Sequence, residues 1–383
     1  DCLLSRGLGD VYKRQAFRGG AGAGGGESLA SARAGVQVDV TREPLGVVGL
    51  IAPWNAPFAV PAWKIAPALA HGNSVVFKPA ERVPACGWAL AEIISRAALP
   101  AGVFNLVMGS GREVGQALVD SPHVDALSFT GSAAVGERVL RGATARRARM
   151  QLEMGGKNAL VVLADADLER AVDCAVQGAY FSAGQRCTAS SRLIVEAAVH
   201  DAFVARLRER LKALRVGHAL ERGVEIGPVA DAERLAGHLA WVEIARAEGA
   251  EHVWGGEALE RATAGHYMSP ALFLAEPGHR IAREQIFGPL ACVLRATDYE
   301  HALALCNDTP FGLCAGICTN SLKHAMHFRR HAEVGMTMVN LPTAGVDFHV
   351  PFGGRKGSGH GPREQGRHAA EFYTQVKTGY MLA

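Results

Sequence analysis

The chain has 383 residues, 49% of them hydrophobic and 20% charged, with a formal net charge of +3. That length exceeds one ordinary core and predicts two domains, while so weak and scattered a positive charge argues against a nucleic-acid partner. Eight cysteines with no CxxC pair and no zinc-ligand spacing argue against a disulfide framework or a metal centre and predict reduced thiols in a cytoplasmic protein.

In chain order, residues 1–27 carry no recognisable element and end in the flexible run "GGAGAGGGE", so they read as an unstructured or foreign leader, with organised structure starting near Ser28. The uncharged run over residues 44–63 contains Pro44, Pro53, Pro57 and Pro61 and opens strand-like, which makes it a poor membrane helix. From Leu45 apolar runs alternate with helical patterns. Strands are expected in "LGVVGLI", "SVVFK", "VFNLV", "DALSF" and "RMQLE", and helices in "PAWKIAPALAHG", "CGWALAEIISRAAL", 112–119 and 133–141. A second set begins at "NALVVL" and continues with "RLIV", "ACVLR", "AGICT" and "TMVN". Its helices are expected near 168–180, 201–214, 231–247, 300–306 and 322–331. The fold class is therefore α/β: two doubly wound domains with parallel sheets covered on both faces, leaving strand ends where ligands bind.

Polar residues fall at those strand ends: Asn55, Lys78, Glu81, Gly131, Ser132 and Glu153. Each has a bland alternative, Asn55 as a helix cap, Lys78 as a solvated strand end, Glu153 as an ion-pair partner of Lys157. In "AYFSAGQRCTASSR", Cys187 sits among small, polar and cationic neighbours that favour a thiolate. "GSGREVG" has GxGxxxG spacing and is weak as a phosphate loop, whereas "SFTGSAAVGERVL" runs from a strand through a small-residue turn into a helix N-terminus suited to a pyrophosphate.

The segments "APWNAPF", "FTGSAAVG", "LEMGGKN", "GQRC", "EQIFGP" and "PFGGRKGSG" follow one another as in the aldehyde dehydrogenase superfamily, and the tail "VNLPTAGVDFHVPFGGRKGSGHGPREQG" most resembles the branch acting on α-ketoglutaric semialdehyde. The resemblance runs from about residue 35 to the end. It implies Cys187 as nucleophile, Glu153 as general base and Asn55 as oxyanion donor. On the cofactor side it implies Ala52, Pro53, Trp54, Lys78, Glu81, Gly131, Ser132, Glu284 and Phe287 around NAD, with NADP as the alternative. Glu81 favours NAD, because a carboxylate there would repel a 2′-phosphate. Arg186 either binds a substrate carboxylate or supports the loop, and Glu284 has a surface carboxylate as its bland reading.

The resemblance further implies a cofactor domain over 45–155, a catalytic domain over 156–349 and oligomerisation strands over 35–44 and 365–383, and hence a homodimer or homotetramer acting on a small aldehyde, with no nucleic acid and no membrane. Family members usually carry roughly a hundred more residues ahead of this match, so a truncated gene model is expected. The competing readings are another semialdehyde or aromatic aldehyde as substrate, an inactive fragment serving as an oligomerising module, and a cofactor-independent thiol hydrolase.

Overall fold

The structure is a computed structural model that describes residues 26–382, so the expected leader lies outside the described residues up to position 25. The chain divides into two compact units: the first runs to Met154 and takes up 346–353 and 359–383, and the second comprises 155–345 and 354–358. These boundaries differ from those expected. The chain returns to the first unit after residue 345 because Gly359–His360 pairs antiparallel with the end of Arg149–Glu153, and the C-terminal strand completes a sheet begun near the other end of the chain.

The first unit is built on a six-stranded sheet in the spatial order Gly359–His360, Arg149–Glu153, Ala126–Thr130, Val47–Ile51, Ser74–Lys78, Phe104–Leu106. Every pairing except that of the short edge strand is parallel. Side chains alternate between its faces, as a period of two requires. Val48, Leu50, Val75 and Phe77 pack with Val60, Ile65 and Ala68 of the helix Ala59–Ala70, while Leu127, Phe129 and Leu152 pack with Val139 and Ala143 of the helix Ala133–Ala145. Residues 365–383 were expected to be strand, but the stretch from Gly366 to Tyr373 is helical. Its alanines suit a helix, and Ala369, Phe372 and Tyr373 are buried in the same core as the helix Ala59–Ala70. The strand follows as Thr374–Leu382 and forms an antiparallel three-stranded sheet with Val36–Pro44 and Glu27–Ala30.

A buried polar network crosses the first unit. Lys64 donates to Ser128 Oγ at 2.7 Å and pairs with the Glu364 carboxylate, Ser128 donates to Gln151 Oε1 at 2.9 Å, and Gln151 Nε2 donates to the carbonyls of Pro362 and Arg363 at 3.1 Å. Lys64 and Glu364 are 0% and 1% exposed, so the ammonium finds its countercharge inside the protein.

The second unit carries a seven-stranded sheet in the order Glu251–Trp254, Ala271–Leu274, Leu290–Ala296, Ser190–Glu196, Asn158–Val162, Cys314–Cys318, Met336–Val339, parallel except for its first pair. Ala159, Val161 and Ile194 face the helices Ala232–Ala247 and Tyr299–Asn307. Leu160, Val162, Leu193 and Val195 face Leu168–Ala179 and His200–Lys212. Side-chain caps start several of these helices: Asp167 accepts from the Glu169 and Arg170 amides, Asp231 from Arg234, Asp298 from His301 and Ser321 from His324. Both sheets therefore carry antiparallel edge strands where fully parallel sheets were expected, at positions too short to show a hydrophobic pattern. No helix among the described residues is long and apolar enough to cross a membrane.

Candidate active site

In the first unit the chain steps outward from Val47–Ile51 through Ser74–Lys78 to Phe104–Leu106, then returns to the opposite side of Val47–Ile51 with Ala126–Thr130. Strand order reverses between these neighbours, which is where doubly wound sheets open a crevice beyond the strand ends. Ala52, Pro53, Trp54 and Asn55 follow one of the two strands, and Gly131 and Ser132 the other. Lys78 and Glu153 end the strands alongside. The ends are tied together: the Ala52 amide donates to the Lys78 carbonyl at 3.2 Å and the Gly131 amide to the Glu153 carbonyl at 3.1 Å.

Each of these residues can be placed. Glu153 is 3% exposed, and its carboxylate lies so close to Gly353 of "PFGG" that a Cβ there would come within 2.4 Å of Oε1. The loop ahead of the helix Ala59–Ala70 holds Asn55 half-buried, and the N-cap is Phe58, so Asn55 does not cap that helix. The Arg82 guanidinium lies over the Trp54 ring, 6.0 Å from its centroid. Lys78 is buried and donates to the Pro79 carbonyl at 2.9 Å; burial lowers its pKa, partly offset by the nearby Glu81, which is exposed. Lys78 is thus not a solvated strand end.

The turn at Gly131 accepts no larger residue, since a Cβ would meet the Phe129 ring at 2.5 Å, and one at Gly136 would meet the Met154 sulfur at 2.3 Å. Ser132 begins the helix Ala133–Ala145 without a side-chain cap, and no acidic residue occupies the first turn. Small residues, uncapped amides and the positive end of the helix dipole together suit a pyrophosphate. By contrast, "GSGREVG" forms a π-turn over Gly111–Gly115, capped by Ser110 accepting from the Glu113 amide.

In the second unit, Cys187 is half-buried after a 3-10 turn, Phe181–Gly184, in which Ser182, Ala183 and Gly184 have φ of 57°, 52° and 64°. Left-handed backbone at consecutive non-glycine residues is costly and persists only where the surroundings enforce it. Here they do. Asn158 Nδ2 donates to the carbonyls of Cys187 at 2.7 Å and Ala189 at 3.0 Å, and its Oδ1 accepts from the Cys314 amide at 3.2 Å. Gln185 Oε1 accepts from the Ala230 amide at 3.0 Å, and Thr343 Oγ1 donates to the Thr188 carbonyl at 2.6 Å. Arg186 donates to the carbonyls of Gln177 and Gly178 at the end of Leu168–Ala179, and burial lowers its pKa.

A Cβ on Gly184 would stand 2.1 Å from the Gly288 oxygen, and that oxygen belongs to rigid backbone. Gly184→Ala is therefore expected to cost about 2 kcal/mol or more through backbone strain and clash. By shifting the backbone that carries Cys187 it should also change the rate at which that thiol is alkylated. Thermal melts and the alkylation rate of Cys187 check both effects, and an Ala variant as stable and as readily alkylated as the wild type would remove the steric argument.

Glu284 follows the short helix Arg280–Arg283 and pairs with Arg280 at 2.7 Å; that hydrogen bond holds its carboxyl below the usual range. Phe287 has a φ of 60°, and its carbonyl accepts from His238 Nε2 at 3.1 Å. Burial pulls His238 down to about 4, so the ring is neutral at physiological pH. His238 was not legible in the sequence, because it holds "IFGP" from a helix that carries no motif. Lys157 was weighed only as a partner of Glu153; it is buried in the second unit, where burial lowers its pKa to about 8.

The chain is similar to known proteins over most of its length. Residues 14–379 match the family model described as "Aldehyde dehydrogenase family". The α-ketoglutaric semialdehyde dehydrogenase of Bacillus subtilis is 43% identical over 344 residues, 89% of this chain and 70% of the relative. The 2,5-dioxopentanoate dehydrogenase of Saccharolobus solfataricus is 42% identical over 359 residues, covering 93% of this chain and 74% of the relative. A crystal structure of betaine aldehyde dehydrogenase from Staphylococcus aureus in complex with NAD+ superposes with a TM-score of 0.92 at 34% identity, over 96% of this chain and 73% of the other. The chain belongs to the aldehyde dehydrogenase family.

Proposed function

We propose that the protein oxidises α-ketoglutaric semialdehyde to α-ketoglutarate with NAD as acceptor, NADP being the alternative. The observation that carries the reaction is the Cys187 loop, a half-buried thiol on a backbone held by Asn158, Gln185 and Thr343. The similarity to two dehydrogenases named for this semialdehyde supports the substrate.

In this reading the Cys187 thiolate adds to the aldehyde carbon, forming a C–S bond and a tetrahedral thiohemiacetal whose oxygen gains negative charge. Asn55 Nδ2 and the Cys187 amide are the donors to that oxygen. The chemistry a bound nicotinamide supplies is acceptance of a hydride from the thiohemiacetal carbon. Glu153 then takes a proton from the water that attacks the remaining thioester, releasing the acid and returning Cys187 to its thiolate.

The dinucleotide fits the residues present: Gly131 and Ser132 would receive the pyrophosphate, Lys78 and Glu81 the adenosine ribose, Glu284 and Phe287 the nicotinamide ribose, with Ala52, Pro53 and Trp54 lining the groove. Arg186 is assigned to loop support rather than to the substrate, since its guanidinium already serves two main-chain carbonyls. The first unit would then be the cofactor domain and the second the catalytic domain. The sheet of Glu27–Ala30, Val36–Pro44 and Thr374–Leu382 would join copies of the chain into a dimer or tetramer, as the exposure of Val376, Tyr380, Met381 and Leu382 favours.

Absorbance at 340 nm tests the reading, with α-ketoglutaric semialdehyde compared against succinic semialdehyde and butanal. A kcat/KM highest for the first supports it, and turnover that favours butanal overturns the substrate.

A further inference from the structure

The two units treat a buried ammonium differently. In the first, Lys64 meets the Glu364 carboxylate. In the second, Lys157 and Arg192 are each 1% exposed, and Lys157 Nζ, Arg192 Nε and Arg192 Nη1 have no hydrogen-bond partner among the described residues. Burial lowers the Lys157 pKa only to about 8, so the group is still an ammonium at neutral pH. The two cations lie close together. Arg192 is the lateral neighbour of Ala159 in the parallel pairing of Asn158–Val162 with Ser190–Glu196, two residues along from Lys157, and its Nη2 donates to the Leu305 carbonyl at 2.7 Å.

No side chain there supplies the matching negative charge. The carboxylates whose charge reaches the pair, Glu284 at Lys157 and Asp308 at Arg192, bond instead to Arg280 at 2.7 Å and to Arg283 at 3.1 Å. Burial raises the thiols of Cys292 and Cys306, the latter to about 11, so both stay uncharged. A cavity of about 10 Å³ lies against Lys157, walled further by Cys306, Thr309, Phe311 and Val334. That is room for roughly one water-sized sphere. Buried cations without a countercharge are costly, and a neutral water would bond to them without matching their charge. Carboxylates and phosphates exceed the space. A monatomic anion does not, because the long Lys157 stem can draw back to admit its radius.

We propose that this cavity is a binding site for one small inorganic anion of the halide class, held by Lys157 Nζ with the Arg192 guanidinium as the second positive charge. The site lies wholly within the second unit and is independent of the substrate and of the dinucleotide.

The test is a thermal melt of the full chain at fixed ionic strength, with chloride replaced stepwise by gluconate, which is too large for the cavity. Wild type should melt roughly 3–5 °C higher for each tenfold rise in chloride once the site is mostly filled. Lys157→Met keeps the length and the apolar stem while removing the charge, and it should melt at the same temperature in both salts. Bromide-soaked crystals of wild type give a readout that needs no variant: an anomalous peak is expected beside Lys157 Nζ. Superposable wild-type melts in the two salts, a chloride dependence that survives in Lys157→Met, or a map without bromide at the cavity overturns the proposal. Bromide in the crystal with no chloride dependence in solution marks an adventitious ion only, and overturns it as well.

Discussion

Cys187→Ser should lower NAD-dependent aldehyde oxidation by on the order of 10⁴-fold or more, with no initial burst of reduced cofactor. A serine hydroxyl is a far weaker acid than a thiol and supplies almost no anion at neutral pH, so the first covalent step fails. Glu153→Gln should behave differently. The amide cannot deprotonate water but leaves the thiol untouched, so a burst of up to one equivalent should survive while steady turnover falls about 10²-fold to 10⁴-fold. Stopped-flow absorbance separates the two phases. Equal loss of burst and turnover in Glu153→Gln would remove Glu153 as the deacylation base, and a burst in Cys187→Ser would remove Cys187 as the nucleophile.

Lys64→Met should destabilise the first unit by about 3–5 kcal/mol, because it strands the Glu364 carboxylate in a site that is 1% exposed. For a unit of this size that corresponds to a drop in Tm of roughly 10 °C by calorimetry. Changing both partners, Lys64→Met with Glu364→Leu, should recover most of the loss, since an apolar pair of similar volume leaves no charge unmatched. A single substitution costing less than about 1 kcal/mol would mean that water reaches the pair after all.

Much of the fold could be read from the chain because its strands are apolar and its helices amphipathic: Arg149–Glu153 and Leu322–His331 lie at the expected positions. Strands such as Ala271–Leu274 and Gly359–His360 were missed because two to four residues show no period. The strand-end residues were legible since motifs mark turns, and turns fall where strands stop. Partners distant in sequence were not. Lys64 and Glu364 are 300 positions apart, and either alone reads as a solvated charge. The left-handed backbone at Ser182 and Ala183 was equally hidden, since neither residue type favours it and only the surrounding bonds impose it.

The second unit interrupts the first, and this fixes an order of events during synthesis. Val36–Pro44 waits for Thr374–Leu382, and Arg149–Glu153 waits for Gly359–His360, so the first unit cannot close its sheets until Leu382 has left the ribosome. Nearly all of the second unit lies in one continuous stretch and can form earlier. A ribosome stalled while Thr374–Leu382 is still inside its exit tunnel should therefore hold a protease-resistant second unit beside a first unit that is still open to digestion.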